Sequence, residues 1–198
     1  MNYLAHAFLS FGNPQVLTGN MISDFVKGKN QYEYPAVIQA GIQLHRAIDS
    51  FTDQHTSSRI ISNLFRPQYR LYGAAFTDIV YDHFIANDST LFVSPSSLEV
   101  FTRETYTALE NQRSYFPQKF ASMFPYMSTQ DWLYNYQYDW GIQRSFQGLG
   151  RRAAYLPETE IAFEIFLNNK SAIQEQYNLF FPSVKKMAAD RMRQLLKD

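Results

Sequence analysis

The chain has 198 residues, enough for one domain of ordinary size but not comfortably two, so a single apolar core over residues 1–198 is expected. Hydrophobic residues make up 45% and charged residues 18%, which excludes extended disorder; eighteen Lys plus Arg balance eighteen Asp plus Glu, which leaves no global field for nucleic acid or an anionic membrane. With no cysteine there is no disulfide, no thiolate metal site and no cysteine nucleophile, so any metal must be held by His and carboxylate.

Apolar residues recur at three- and four-residue spacing and no alternating run is bounded by hairpin turns, which predicts an all-α fold, a single-domain helical bundle. The first helix is predicted over Asn2 to Leu9, stopped by Gly12, Asn13 and Pro14, and a second over Leu17 to Val26, ended at Gly28. Longer helices follow over Pro35 to Thr52 and Gln68 to Ala86, with a shorter one between Thr56 and Phe65 that Pro67 closes. Beyond a loop around Pro95, Ser96 or Ser97 caps a helix running toward Tyr115, Asp131 lies early in another, and Glu158 opens a C-terminal helical stretch broken at Pro182. The segment MNYLAHAFLSFGNP has no basic n-region or cleavage pattern, and no run approaches about eighteen apolar residues, so a cytoplasmic protein without a membrane span is expected.

Residues 1 to 92 hold all four histidines and six of the ten aspartates but one of the eight glutamates. Short Asp side chains are poor helix formers that serve as caps or ligands, whereas Glu suits exposed helix positions, so the first half reads as site and the second as scaffold. On the predicted helix around 41–55, His45, Asp49 and Asp53 are spaced four apart and form one stripe, with Ile38, Ile42 and Ile48 on or beside the same arc. Carboxylates on an apolar face need a compensating cation, either Arg or metal. Asp78 and Asp82 repeat the device on a second helix, with His83 about 100 degrees away from Asp82; Asp24 and His6 are further candidates. If these aspartates turn inward the exterior keeps a positive excess, with Lys27, Lys29, Arg46, Arg66, Arg70, Arg151 and Arg152 as its candidates, which suits an acidic protein partner or a phosphate.

MNYLAHAF at 1–8, TGNMISDFVKG at 18–28, GIQLHRAIDSFTDQH at 41–55 and DIVYDHFIA at 78–86 together resemble the acyl carrier protein phosphodiesterase family, with a weaker echo in NYQYDWGIQRSFQGLGRRA at 135–153. That family resembles a divergent branch of the HD phosphohydrolases, all helical and using Mn or Mg, although the His-Asp order is reversed here in Asp82-His83. The resemblance implies metal-dependent removal of 4′-phosphopantetheine from holo acyl carrier protein, with that protein as the macromolecular partner and Mn the leading metal ahead of Mg or Fe. It implies His45, Asp49 and Asp82 as direct ligands, Asp24 and His83 next, and Asp53, His55, Asp78 and His6 as residues that orient ligands or hold a second ion. Arg46, directly after His45, is expected to hold the phosphate, and Asp24, His45, Asp49 and Asp82 to carry the catalysis with it. Two other functions fit the residues: a metal phosphohydrolase acting on a nucleotide or small phosphoester, and a noncatalytic helical module in which buried Asp and His only pair with Arg.

Overall fold

The helical periodicity is realised throughout. The computed structural model describes residues 1–198 apart from Pro95, Ala154, Pro157 and Asp198, so the loop expected around Pro95 centres outside the described residues. Among the described residues there is no strand, and the helices in chain order are α1 (Tyr3–Phe8), α2 (Pro14–Ile22), α3 (Ala36–Gln54), α4 (Thr56–Tyr69), α5 (Gly73–Ala86), α6 (Ser97–Glu110), α7 (Gln118–Thr129), α8 (Trp132–Asn135), α9 (Asp139–Arg152), α10 (Glu160–Asn168) and α11 (Lys170–Leu195). No helix among them is long and apolar enough to cross a membrane.

Several predicted boundaries move for identifiable reasons. Asn13 and Pro14, expected to stop one helix, begin the next. The Asn13 side chain accepts from the Gln15 and Val16 N–H groups at 3.1 and 3.0 Å, and Pro14 takes the first helical position, where its missing N–H costs nothing. A 3-10 turn, Ser23–Phe25, then replaces the expected last turn of α2. Pro67 and Pro182 lie inside α4 and α11 rather than closing or breaking them. Around Pro182 the buried side chains of Phe180, Phe181, Val184 and Ala188 reward an unbroken helix, so the interruption falls instead at Asn169, between α10 and α11. α4 ends where Arg70 takes a left-handed φ of 49°, and α5 starts at Gly73.

The core is a continuous apolar cluster built on aromatic rings. Tyr81 of α5 stacks on Phe180 of α11 at 4.4 Å, and Phe76 meets Phe65 of α4 at 5.2 Å and Phe146 of α9 at 4.8 Å. Such pairs add about 0.5–1.5 kcal/mol each beyond their buried area. The Tyr69 hydroxyl ties α4 to the start of α10, donating to the Glu158 carbonyl at 2.7 Å and accepting from the Ala162 N–H at 2.9 Å.

Positioning of the first half depends on two glycines. Where α2 crosses α3, a Cβ on Gly19 would lie 2.0 Å from the Ile38 carbonyl oxygen, and one on Gly41 would lie 2.3 Å from the Val16 carbonyl oxygen. Both obstacles are backbone and cannot swing aside. Gly41→Ala is therefore expected to separate the helices and lower stability by about 1–3 kcal/mol, read as a fall in the urea midpoint; an unchanged midpoint would show that the crossing tolerates a side chain.

Candidate active site

The crossing of α2 and α3, with α1 laid beside it, converges on Asn20. Its side-chain NH₂ donates to the His6 carbonyl at 2.9 Å and to the Ser10 hydroxyl at 3.1 Å, while Ser10 donates to the same carbonyl at 2.8 Å. That network fixes the amide orientation, so Asn20 Oδ1 must accept from His6 Nδ1 at 2.8 Å. The Asn20 backbone carbonyl likewise accepts from His45 Nδ1 at 2.7 Å. One residue thus places the proton on Nδ1 of both histidines, whose rings stack at 3.9 Å with 14° between planes.

The consequence lies at the opposite ring nitrogens. His6 Nε2 is 3.2 Å from Asp49 Oδ1, and His45 Nε2 is 3.0 Å from Asp49 Oδ2 and 3.2 Å from Asp24 Oδ1. In neutral imidazoles these nitrogens present lone pairs to carboxylate oxygens, an arrangement that repels unless a proton or a cation lies among them. His45 takes the proton: burial opposes its charge, but the hydrogen bonds to Asp24 and Asp49 hold its pKa up to about 9. His6 stays neutral, pushed down to about 4 by burial and by His45 beside it. Burial works against charge on Asp49 too, yet the hydrogen bond from the protonated His45 and the Met1 ammonium outweigh it and hold the carboxyl well below its ordinary range. That ammonium lies 3.1 Å from Asp49 Oδ1 and 3.0 Å from Asp78 Oδ1.

A divalent ion fits this donor set. One ligand atom each from His6, His45 and Asp49 lie within 4.8 Å of one another, on side chains whose far ring nitrogens are already committed to carbonyls. Imidazole and carboxylate donors without sulfur suit Mn, Mg or Fe(II). His6 and His45 line a cavity of about 210 Å³ together with Asp24, Asp78, Tyr3 and Arg152. Asn20→Ala is expected to free the His6 imidazole, while the backbone carbonyl still holds His45, and to lower activity by about 10–100-fold without unfolding the chain; full activity with an unchanged spectrum would mean that the Asn20 amide does not set the His6 ring.

The structure therefore brings His6, His45, Asp49, Asp24 and Asp78 together, and it departs from the expected set at five positions. Asp82 is fully buried and accepts from the Leu4 and Ala5 N–H groups at 2.7 and 3.1 Å, so both of its oxygens cap α1 and neither faces the cavity. His83, one residue on, turns away: Nδ1 donates to the Tyr136 carbonyl at 2.8 Å, Nε2 lies 3.7 Å from Asp139, and the ring packs edge-on to Phe84 and Phe166. His55 caps α4, its Nδ1 accepting from the Ser57 N–H at 3.2 Å, with its ring against Phe180. Asp53 is exposed and lines a different cavity. Arg46 is held by Gln31 Oε1 at 2.9 Å and the Val26 carbonyl at 3.2 Å, because adjacent residues on a helix diverge by about 100 degrees. The guanidinium that does line the cavity is that of Arg152, at the end of α9. Its only signal in the sequence is membership of the positive excess and of the GLGRRA echo. Asn20 had no signal of its own beyond lying in the TGNMISDF block.

A family model for acyl carrier protein phosphodiesterases matches residues 1–184. Similar proteins bearing that same description come from Klebsiella pneumoniae (strain 342), 29% identical over 96% of this chain and 99% of the relative, and Photorhabdus laumondii, 29% identical over 96% of each. One from Yersinia pestis is 28% identical over 95% of this chain and 97% of the relative. No solved structure matches the chain.

Proposed function

The chain belongs to the acyl carrier protein phosphodiesterase family, and from that premise we propose that it is a hydrolase that cleaves the phosphodiester joining 4′-phosphopantetheine to a serine of holo acyl carrier protein, releasing the apo carrier. The observation that carries the reading is the pair of imidazole Nε2 atoms turned on Asp49 at 3.2 and 3.0 Å, a cation-demanding arrangement at the wall of an open cavity. A Mn, Mg or Fe(II) ion held by His6, His45 and Asp49 would offset the charge of the phosphodiester and lower the pKa of a water. The remaining steps belong to the chain. Arg152, exposed at the cavity, is placed to hold the anionic phosphoryl oxygens. Asp24, whose side chain is 70% exposed, is kept ionised by its hydrogen bond with His45 and is the group free to accept the proton of the attacking water. Attack forms a new P–O bond and breaks the bond from phosphorus to the serine oxygen, which leaves as the hydroxyl after taking a proton. No covalent enzyme intermediate is needed.

The test is to incubate the purified protein and Mn with holo acyl carrier protein and weigh the carrier. Loss of the whole prosthetic group, prevented by chelator, is expected. Retention of the group, together with hydrolysis of a generic phosphodiester, would move the activity to small phosphoesters.

A further inference from the structure

Asp78 also lines a second, larger concavity of about 430 Å³, one wall of which is a face of α4. Arg59, Asn63, Arg66 and Arg70 line it at spacings of four, three and four residues, so they form one stripe along the helix and its end. All three arginines are exposed, and among the described residues none takes part in an ion pair; the arginine pairs are those of Arg113 with Glu110 and Arg193 with Asp190. The carboxylates in the concavity, Asp53 and Asp78, lie at its other wall, and Asp78 is answered by the Met1 ammonium. Where α4 ends, the left-handed φ of Arg70 turns the chain and leaves Leu71, also lining the concavity, 91% exposed.

We propose that this arginine stripe, with Leu71 as its apolar anchor, is the docking surface for an acidic segment of the protein half of the substrate; the inference rests on the reading of the substrate as a carrier protein. Charge spread along the wall favours an extended acidic partner: eleven residues of helix span about 16 Å, a length over which three guanidinium groups can each meet a separate carboxylate of a segment about three helical turns long. The pantetheine arm, neutral apart from its phosphate, offers the stripe no charge. Unpaired cations flanking an exposed leucine form the pattern in which the charges steer and register a partner and the apolar group anchors it. Asp78, shared by both cavities, then places the docked protein beside the His6, His45 and Asp49 cluster.

The experiment compares wild type with the Arg59→Ala, Arg66→Ala, Arg70→Ala triple variant in three measurements: binding of holo carrier protein, kcat/KM on that carrier at low and high salt, and turnover of bis(p-nitrophenyl) phosphate. The expected result is carrier binding weakened at least ~10-fold, with kcat/KM falling through KM and its salt dependence flattened, while turnover of the small diester is unchanged. Unchanged carrier binding and salt dependence would overturn the docking surface, as would an equal fall on both substrates, which would make the arginines part of the small site. Binding and hydrolysis separate the two readings: a carrier bound through the arginines but never cleaved overturns the activity and supports the docking surface, whereas a wild-type protein that does not bind the carrier overturns both.

Discussion

Replacing Asp49 by asparagine is expected to lower turnover of holo carrier protein by at least ~100-fold while leaving the helical circular dichroism spectrum intact. The substitution keeps the shape of the side chain but removes the charge on which His6, His45 and the Met1 ammonium converge. The asparagine would offer a neutral oxygen and an NH₂ where the protonated His45, or a cation in place of its proton, needs a carboxylate. A second readout follows from linkage. Because Asp49 and Asp24 together raise His45 to about 9, loss of one partner should move the His45 titration down toward its ordinary range, as seen by NMR in the metal-free protein. For wild type, this raised pKa makes a stabilising contribution that is full below about pH 6.5 and lost as pH rises through about 9. Undiminished turnover, or an unmoved His45, would remove Asp49 from the centre of the site.

Asp82→Ala is expected to cost more stability than any of the other substitutions considered. It strips two buried N–H groups, those of Leu4 and Ala5, of their only acceptor at the start of α1. At about 1–3 kcal/mol for each orphaned donor, the loss should be about 2–6 kcal/mol in chemical denaturation. Activity should fall with it, because α1 carries His6. Asp82→Asn also fails to restore the cap, since its amide NH₂ meets one of the two donors. Burial pushes the Asp82 carboxyl up to about 7 against those N–H groups. A folded-state pKa raised above the ordinary value of an acid means that the native state binds the extra proton, so this group's contribution declines as pH rises from about 4 through 7 and the slope should vanish in Asp82→Ala. A variant as stable as wild type at every pH would return Asp82 to consideration as a cavity residue.

The contrast between Asp49 and Asp82 shows what was legible in the sequence. His45 and Asp49 were visible because both lie on one helix, where a four-residue spacing fixes a shared face before any tertiary contact is known. Asp82 carried the same local signal, an aspartate one turn from Asp78 among apolar residues, yet its partners are backbone groups of α1, 77 and 78 residues away. No periodicity encodes that meeting. Nothing local marks His6 for the same reason, since its place depends on stacking against His45 across the α1, α2 and α3 junction. Asn20 is uncharged and ordinary in composition, and its role exists only where its amide and its carbonyl meet two different histidines. Proximity in sequence misled with Arg46, which the helical turn directs away from His45, while Arg152 arrives at the cavity from α9. The all-helical class was fully legible, but Pro67 and Pro182 show packing overriding a breaker, and α7, where Phe120, Phe124 and Met127 recur at helical spacing around Pro125, was not distinguished as an element.

The seat proposed for a divalent cation is the pair of imidazoles and the carboxylate brought together beside Asn20, and manganese binding to the purified chain, followed by electron paramagnetic resonance, decides it. Binding by wild type, with release of a proton as His45 gives up its own and with affinity weakened at least ~10-fold in His45→Gln and Asp49→Asn, is the predicted result. Manganese that fails to bind, or that binds all three proteins alike, would contradict it.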